Sequence, residues 1–178
     1  MKSKFGWLKL NPAQLTLALL ASLALGGCRA ETQEVELPFE TIERNPTSPN
    51  TGQQYEGAAQ LVVVASPADA NALGQTVSLG ALAGLRNLDF ERQFALAAFQ
   101  GAQPTDGYGA EIDRVTQFGD VITVYAHFTQ RDPYVYADPA PTSPYHLVKL
   151  SREDLKGELT FVLNADGTVI SEQTHVMP

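Results

Sequence analysis

The sequence is short of cysteine: it has one, Cys28, in 178 residues. An intrachain disulfide is therefore excluded, and so is a cysteine-rich zinc site. Histidine is also scarce. His127, His146 and His175 are separated by spacings that match no metal-ligand motif. Clustered positive charge is missing too. Lysine and arginine total 12 against 20 acids, for a net charge of −8, and no basic run occurs. Nucleic-acid binding, which needs such clusters, is excluded. No Gly-x-Ser-x-Gly elbow, His-Glu-x-x-His pair or Gly-x-x-x-x-Gly-Lys loop is present. No catalytic constellation, metal site or cofactor is expected.

What is present begins with an address. Lys2, Lys4 and Lys9 precede an apolar stretch, Leu15 to Leu25, and no acid falls before Cys28. From Leu15 to Gly27 a helix would span about 20 Å against a hydrocarbon core of about 30 Å. That length suits a signal peptide rather than a permanent span. Leu25-Gly26-Gly27-Cys28 resembles the bacterial lipobox. The resemblance implies cleavage between Gly27 and Cys28, and lipidation of the Cys28 sulfur. Several acyl chains on Cys28 would hold the protein at a membrane. The expected localisation is the cell envelope. Arg29 stands where an Asp would retain a lipoprotein at the inner membrane, so the outer membrane is favoured in a cell with two. Once residues 1–27 are removed, the three lysines go with them. The remaining 9 bases face 20 acids, a net charge of −11.

Residues 28–57 read as an acidic linker. Glu31, Glu34, Glu36, Glu40, Glu43 and Glu56 face Arg44, and Pro38, Pro46 and Pro49 interrupt the stretch. Like charges and prolines favour an extended tether. Val35, Leu37, Phe39 and Ile42 alternate in part, which leaves an added edge strand as the other reading.

Residues 58–178 have the composition of one folded domain. Leu61 to Val64 is a buried-strand pattern. Ser66-Pro67-Ala68-Asp69 starts a helix ending near Gly74, with Ser66 as N-cap and Pro67 in the first turn. Gln75 to Asp89, with Gly80 and Gly84, reads as irregular. Strands are expected over Phe94–Phe99, Tyr108–Val115, Val121–Thr129 and Tyr145–Leu150. Ile122, Val124, Ala126 and Phe128 should share one face. Gln103 to Gly107 reads as a hairpin turn with positive φ at Gly107, and Arg131 to Pro144 as a proline-rich loop. Ser151 to Asp154 suggests a single helical turn. Asn164-Ala165-Asp166-Gly167 signals a hairpin between two further strands, not a calcium loop. Asp106, Glu111, Asp113 and Asp120 around one hairpin read as outward-facing charge. The fold class is mainly β, an antiparallel sandwich or barrel, with one or two short helices.

Three motifs occur in order between Leu88 and Leu150. Phe94-Ala95-Leu96-Ala97-Ala98-Phe99-Gln100-Gly101 is a strand ending in glycine. Gln103-Pro104-Thr105-Asp106-Gly107-Tyr108 is a turn. Thr142-Ser143-Pro144-Tyr145-His146-Leu147-Val148 opens a late strand. Together they resemble the C-terminal domain of PrcB-like proteins, with Asp106 where that family usually has glycine. The resemblance implies a non-catalytic protein that binds another protein, such as an exported protease it assists or stabilises. Pro104, Thr105, Asp106, Gly107 and Tyr108 read either as a well-built hairpin turn or as a rigid partner-binding loop, and Pro144, Tyr145 and His146 either as a strand entry or as a possible second contact. The same turn resembles the Asn-Pro-Thr-Thr-Gly-Tyr loop of chagasin-like cysteine-protease inhibitors, which gives protease inhibition as the alternative. A peptide- or glycan-binding envelope module is a third reading.

Overall fold

A computed structural model describes residues 33–45, 55–137 and 139–177. The signal segment, Cys28 and the linker residues 28–32 and 46–54 lie outside the described residues. The elements in chain order are β1 (Val35–Glu36), β2 (Phe39–Arg44), β3 (Gln60–Val64), α1 (Pro67–Leu73) and α2 (Leu79–Arg86). They continue with β4 (Gln93–Phe99), β5 (Gly109–Phe118), β6 (Val121–Thr129), β7 (Tyr145–Ser151), β8 (Gly157–Ala165) and β9 (Thr168–Met177).

The strands form two sheets rather than a closed barrel. One runs β1-β5-β6-β8-β9 and the other β2-β7-β4-β3. Every pairing is antiparallel except β6 with β8, which is parallel. A parallel pair needs a long connection, and here the chain leaves for β7 in the other sheet between those two strands.

The core between the sheets follows from side-chain period. Ile122, Val124, Ala126 and Phe128 all point inward from β6, as their alternation dictates. They meet Phe94, Leu96 and Ala98 from β4 and Phe161 and Leu163 from β8, with Phe94 and Phe161 in edge-to-face contact at 6.2 Å. The other face of β4 presents Ala95, Ala97 and Phe99 to Ala70, Leu73, Ala81, Leu82 and Leu85 of the two helices. β4 is thus buried on both sides. That is why its sequence is an unbroken apolar run rather than an alternation.

Helix α1 starts as its sequence dictates. Ser66 accepts the Asp69 amide at 3.2 Å, and Asp69 reaches back to the Ala65 amide at 3.1 Å. Helix α2 corrects the reading of Gln75–Asp89 as irregular. Ser78 caps it, accepting the Ala81 amide at 3.0 Å. Gly80 and Gly84 lower local helix propensity and hide it in the sequence. Gly84 has a packing reason: a Cβ there would lie 2.5 Å from Ile42 Cγ2. The turn expected over Ser151–Asp154 is not helical, since β7 extends to Ser151 and Asp154 takes φ +67°.

Of the two readings of residues 35–44, the edge strand holds and the linker does not. β1 pairs with β5 and β2 with β7, so this stretch is the outer strand of both sheets in turn. The chain crosses between them at Leu37 and Pro38, with the Leu37 amide bonded to the Val115 carbonyl at 2.8 Å. Leu37 and Phe39 pack against the core, and Ile42 against the helices. The folded unit accordingly begins near residue 33 instead of 58. This clasp closes one side of the sandwich. On the other side the β3 edge is closed by side chains of β9: Ser171 accepts the Leu61 amide at 3.1 Å, and Gln173 donates to the Leu61 carbonyl at 2.9 Å.

Candidate functional site

The loop from Pro104 to Tyr108 is not a hairpin turn. β4 and β5, which it joins, belong to different sheets, so it forms a corner between them. Its entry is tightly built. Gly101 takes φ +90° and sits so close to the Gly57–Ala59 backbone that no side chain fits. Gln100 is buried, donating from Nε2 to the Thr129 carbonyl at 3.0 Å.

The corner is held against the Arg131–Pro144 loop. Gln103 and Thr142 exchange both backbone hydrogen bonds, at 2.8 and 2.9 Å. The Thr142 hydroxyl donates to the Thr105 carbonyl at 2.8 Å. Gly107 has φ +87°, as its place in the turn requires, and a Cβ there would approach Arg131 Cγ to 3.2 Å. Pro104, Asp106 and Gly107 are exposed, and Thr105 and Tyr108 half-buried.

The second loop has an organised tip. Asp132 Oδ1 accepts the Tyr134 amide at 2.8 Å, and the Arg131 guanidinium donates to the Val135 carbonyl at 3.1 Å. These bonds present Tyr134 and Tyr136 outward at 96% and 89% exposure, with Val135 between them at 59%. No other large apolar side chain among the described residues is as exposed as either tyrosine. Arg131 therefore touches both loops: its stem lies on Gly107 and its head on Val135. Among the described residues, three buried side-chain polar atoms have no hydrogen-bond partner, namely Gln100 Oε1, Arg131 Nε and Ser143 Oγ. All three belong to these loops or their bases. Polar groups left this way cost stability, and such costs concentrate at functional rather than scaffold positions.

Pro144, Tyr145 and His146 are buried, which corrects the second contact surface. Pro144 immediately precedes β7, and the side chains of Tyr145 and His146 are consumed inside the fold. The Tyr145 hydroxyl donates to Glu43 of β2 and accepts the Ser78 amide at 3.0 Å. Ser78 also donates to both oxygens of Glu43, at 2.7 and 2.6 Å. Burial, then the neighbouring carboxylate, hold the Tyr145 phenol above its ordinary pKa. This network joins β7, the clasp and the start of α2. His146 faces the other way, between the sheets. Its Nδ1 accepts the Ile112 amide at 2.7 Å, so the proton sits on Nε2, which donates to the Thr41 hydroxyl at 2.8 Å. Burial, with Arg44 nearby, lowers its pKa to about 4.

Glu111 is engaged by Arg44. On the open face of the larger sheet, Asp166 bonds His127 at 2.6 Å and accepts the Phe128 amide at 3.1 Å, which lowers its pKa. Asp166 and Gly167 both have positive φ, the geometry of a tight hairpin turn. Among the described residues, no group of three or more His, Cys, Asp or Glu side chains is placed to hold a metal ion. Among them also, no helix is long and apolar enough to cross a membrane.

Sequence reasoning singled out the first loop from its proline, glycine and motif order. It read the second only as a proline-rich loop. The available signal was two tyrosines and a valine in a proline-rich loop. No curated protein matches the chain, and no solved structure does. Residues 94–151, from the start of β4 to the end of β7 with both loops between, match the family model described as PrcB C-terminal.

Proposed function

We propose that this chain is a lipid-anchored, non-catalytic envelope protein whose folded unit binds another protein, a protease that it assists or stabilises. The match over residues 94–151 supports association with a protease complex. The observation that carries the reading is that the most exposed part of this segment is a built surface. Two loops are bonded to each other, and one presents Tyr134, Val135 and Tyr136 to solvent. Aromatic side chains on a preorganised backbone are the usual anchors of protein interfaces, because they lose little conformational entropy on binding. In this reading Pro104 to Tyr108 shape the surface, and Asp106 and Asp132 give it negative charge.

The test uses a partner recovered from envelope extract by the wild-type chain and then purified. Tyr134→Ala with Tyr136→Ala, and separately Thr105→Ala with Asp106→Ala, should change stability by no more than about 0.5 kcal/mol per site. Each pair should weaken binding by about fivefold or more, measured by calorimetry. Unchanged affinity in both folded double variants would remove the loops from the interface. A recovered protease that loses peptidase activity on binding would turn the reading to inhibition.

Anchoring is tested on its own. Cys28→Ala should abolish incorporation of labelled palmitate and move the protein out of the membrane fraction. Persistence of both in the variant would end the lipobox reading. Within that reading, Arg29 after the cysteine favours the outer membrane where the cell has two.

A further inference from the structure

β9 ends the larger sheet, paired to β8 on one side and to no described strand on the other. It is a long edge, Thr168–Met177. The opposite end of that sheet is β1, only two residues long. The neighbouring edge of β3 is closed by the Ser171 and Gln173 side chains. Folded proteins guard long edges with lysine, proline or bulges, because unpaired backbone groups recruit another strand. β9 has neither lysine nor proline. Its one irregularity lies at the start, where the register with β8 shifts between Leu163 and Asn164. From Ser171 onward pairing is regular. Ser171, Gln173 and Met177 turn toward the interior, while Glu172, Thr174 and Val176 are exposed on the open face; Ile170, the extra residue of the bulge, is exposed as well. Val176 is 63% exposed and Ile170 37%.

We propose that β9 pairs with β9 of a second copy, antiparallel about a two-fold axis at Gln173, making one continuous sheet. The side-chain period selects this register. Two copies keep inward residues inward only if the axis passes through a residue rather than between residues; a one-residue slip sends the open face into the interior. Two central registers meet that condition. An axis through Glu172 sets two carboxylates directly opposite, which is destabilising. An axis through Gln173 sets Glu172 against Thr174 of the partner subunit and Ile170 against Val176 of the partner subunit, each twice. The single charge on the edge then meets a hydroxyl, and Ile170 and Val176, two of the strand's three exposed aliphatic side chains, cover each other. Backbone hydrogen bonds along the edge supply affinity, as in other strand additions. Self-complementarity of one surface is the requirement of a two-fold contact.

The register makes a test of opposite signs at one exposed position. Thr174→Lys places a lysine against Glu172 of the partner subunit twice, and Thr174→Glu places a carboxylate there twice. Sedimentation velocity on the purified full chain, in detergent and over a concentration series, reads the dimer constant. Wild type should dimerise with rising concentration, and Thr174→Lys should dimerise more tightly than Thr174→Glu by about tenfold or more. The gap should shrink in high salt. All three chains carry the same N-terminal segment, so a difference between them reports on β9. Circular dichroism confirms that each is folded. A wild-type chain that stays monomeric, or variants that shift in the same direction or not at all, would overturn the proposal.

Discussion

Gly101→Ala should cost about 3 kcal/mol and lower the melting temperature by about 10 °C, by the usual scaling for a domain of this size. Two costs combine at this site. Gly101 takes φ +90°, where an L side chain is strained by about 1–3 kcal/mol. A Cβ would also lie 2.9 Å from the Ala59 amide nitrogen and 3.0 Å from the Gly57 carbonyl oxygen. Those neighbours are backbone, and the Gly57 carbonyl accepts the Ala102 amide at 3.1 Å, so relief requires moving a bonded segment. A matched control separates the two costs. Gly167 has φ +82° with nothing within 4 Å of its Cβ position. Gly167→Ala should therefore show the backbone cost alone, about 1 kcal/mol. Urea unfolding of both variants measures the difference. Equal losses would mean that the close approach at Gly101 relaxes freely. The site is also the root of the first loop, so Gly101→Ala should weaken partner binding through loop position even where the protein remains folded.

Acid should destabilise the fold through His146 by about 3 kcal/mol between pH 7 and pH 4, at about 1.4 kcal/mol for each unit of displacement. The folded pKa is lowered to about 4 from an ordinary 6.5, first by burial and then by Arg44, with Glu111 opposing. Above pH 6.5 both folded and unfolded chains hold a neutral ring, and nothing is lost. Between pH 6.5 and 4 the unfolded chain takes the proton more readily, so stability falls with pH. Below about 4 both states are charged and the loss is complete. Geometry gives the same answer. The Ile112 amide occupies Nδ1, and a proton there would break that bond. Phe39 packs edge-on against the ring at 6.2 Å, Arg44 and Glu111 form an ion pair beside it, and Thr41 holds Nε2. All these contacts join β2 of the clasp to β5 and β7. His146→Asn keeps an acceptor for the Ile112 amide and cannot titrate. It should be less stable than wild type at pH 7, yet show a shallower fall from pH 6.5 to 4 in urea unfolding. Parallel pH profiles would remove His146 as the source. Since the clasp is what the ring secures, amide exchange in residues 35–44 should rise first on acidification.

Much of the fold was written locally. The alternation in β6, the reciprocal cap at Ser66 and Asp69, the Asp-Gly hairpin between β8 and β9 and the positive φ of Gly107 each depend on a few adjacent residues. They were legible for that reason, as was the order of motifs that marks residues 94–151. What stayed hidden depends on partners far along the chain. Residues 35–44 look like an acidic linker by composition, and their partial alternation offers an edge strand, but which strands they pair with, at Val115 and Leu150, depends on where the sheets leave an open edge. Helix α2 hid behind Gly84, a glycine required by Ile42 across the interface. Tyr145 and His146 read as a strand entry or a possible contact, and the bonds that consume them, to Glu43, Ser78, Thr41 and Ile112, come from distant parts of the chain. The candidate site divides the same way. The sequence by itself determined the Pro104–Tyr108 loop, because proline and glycine constrain backbone angles wherever they stand. Only the tertiary structure decided that this loop lies against Arg131–Pro144 and that Tyr134 and Tyr136 are the side chains left facing solvent. Apposition of two loops is set by which strands are neighbours in the sheets, and no local preference encodes it.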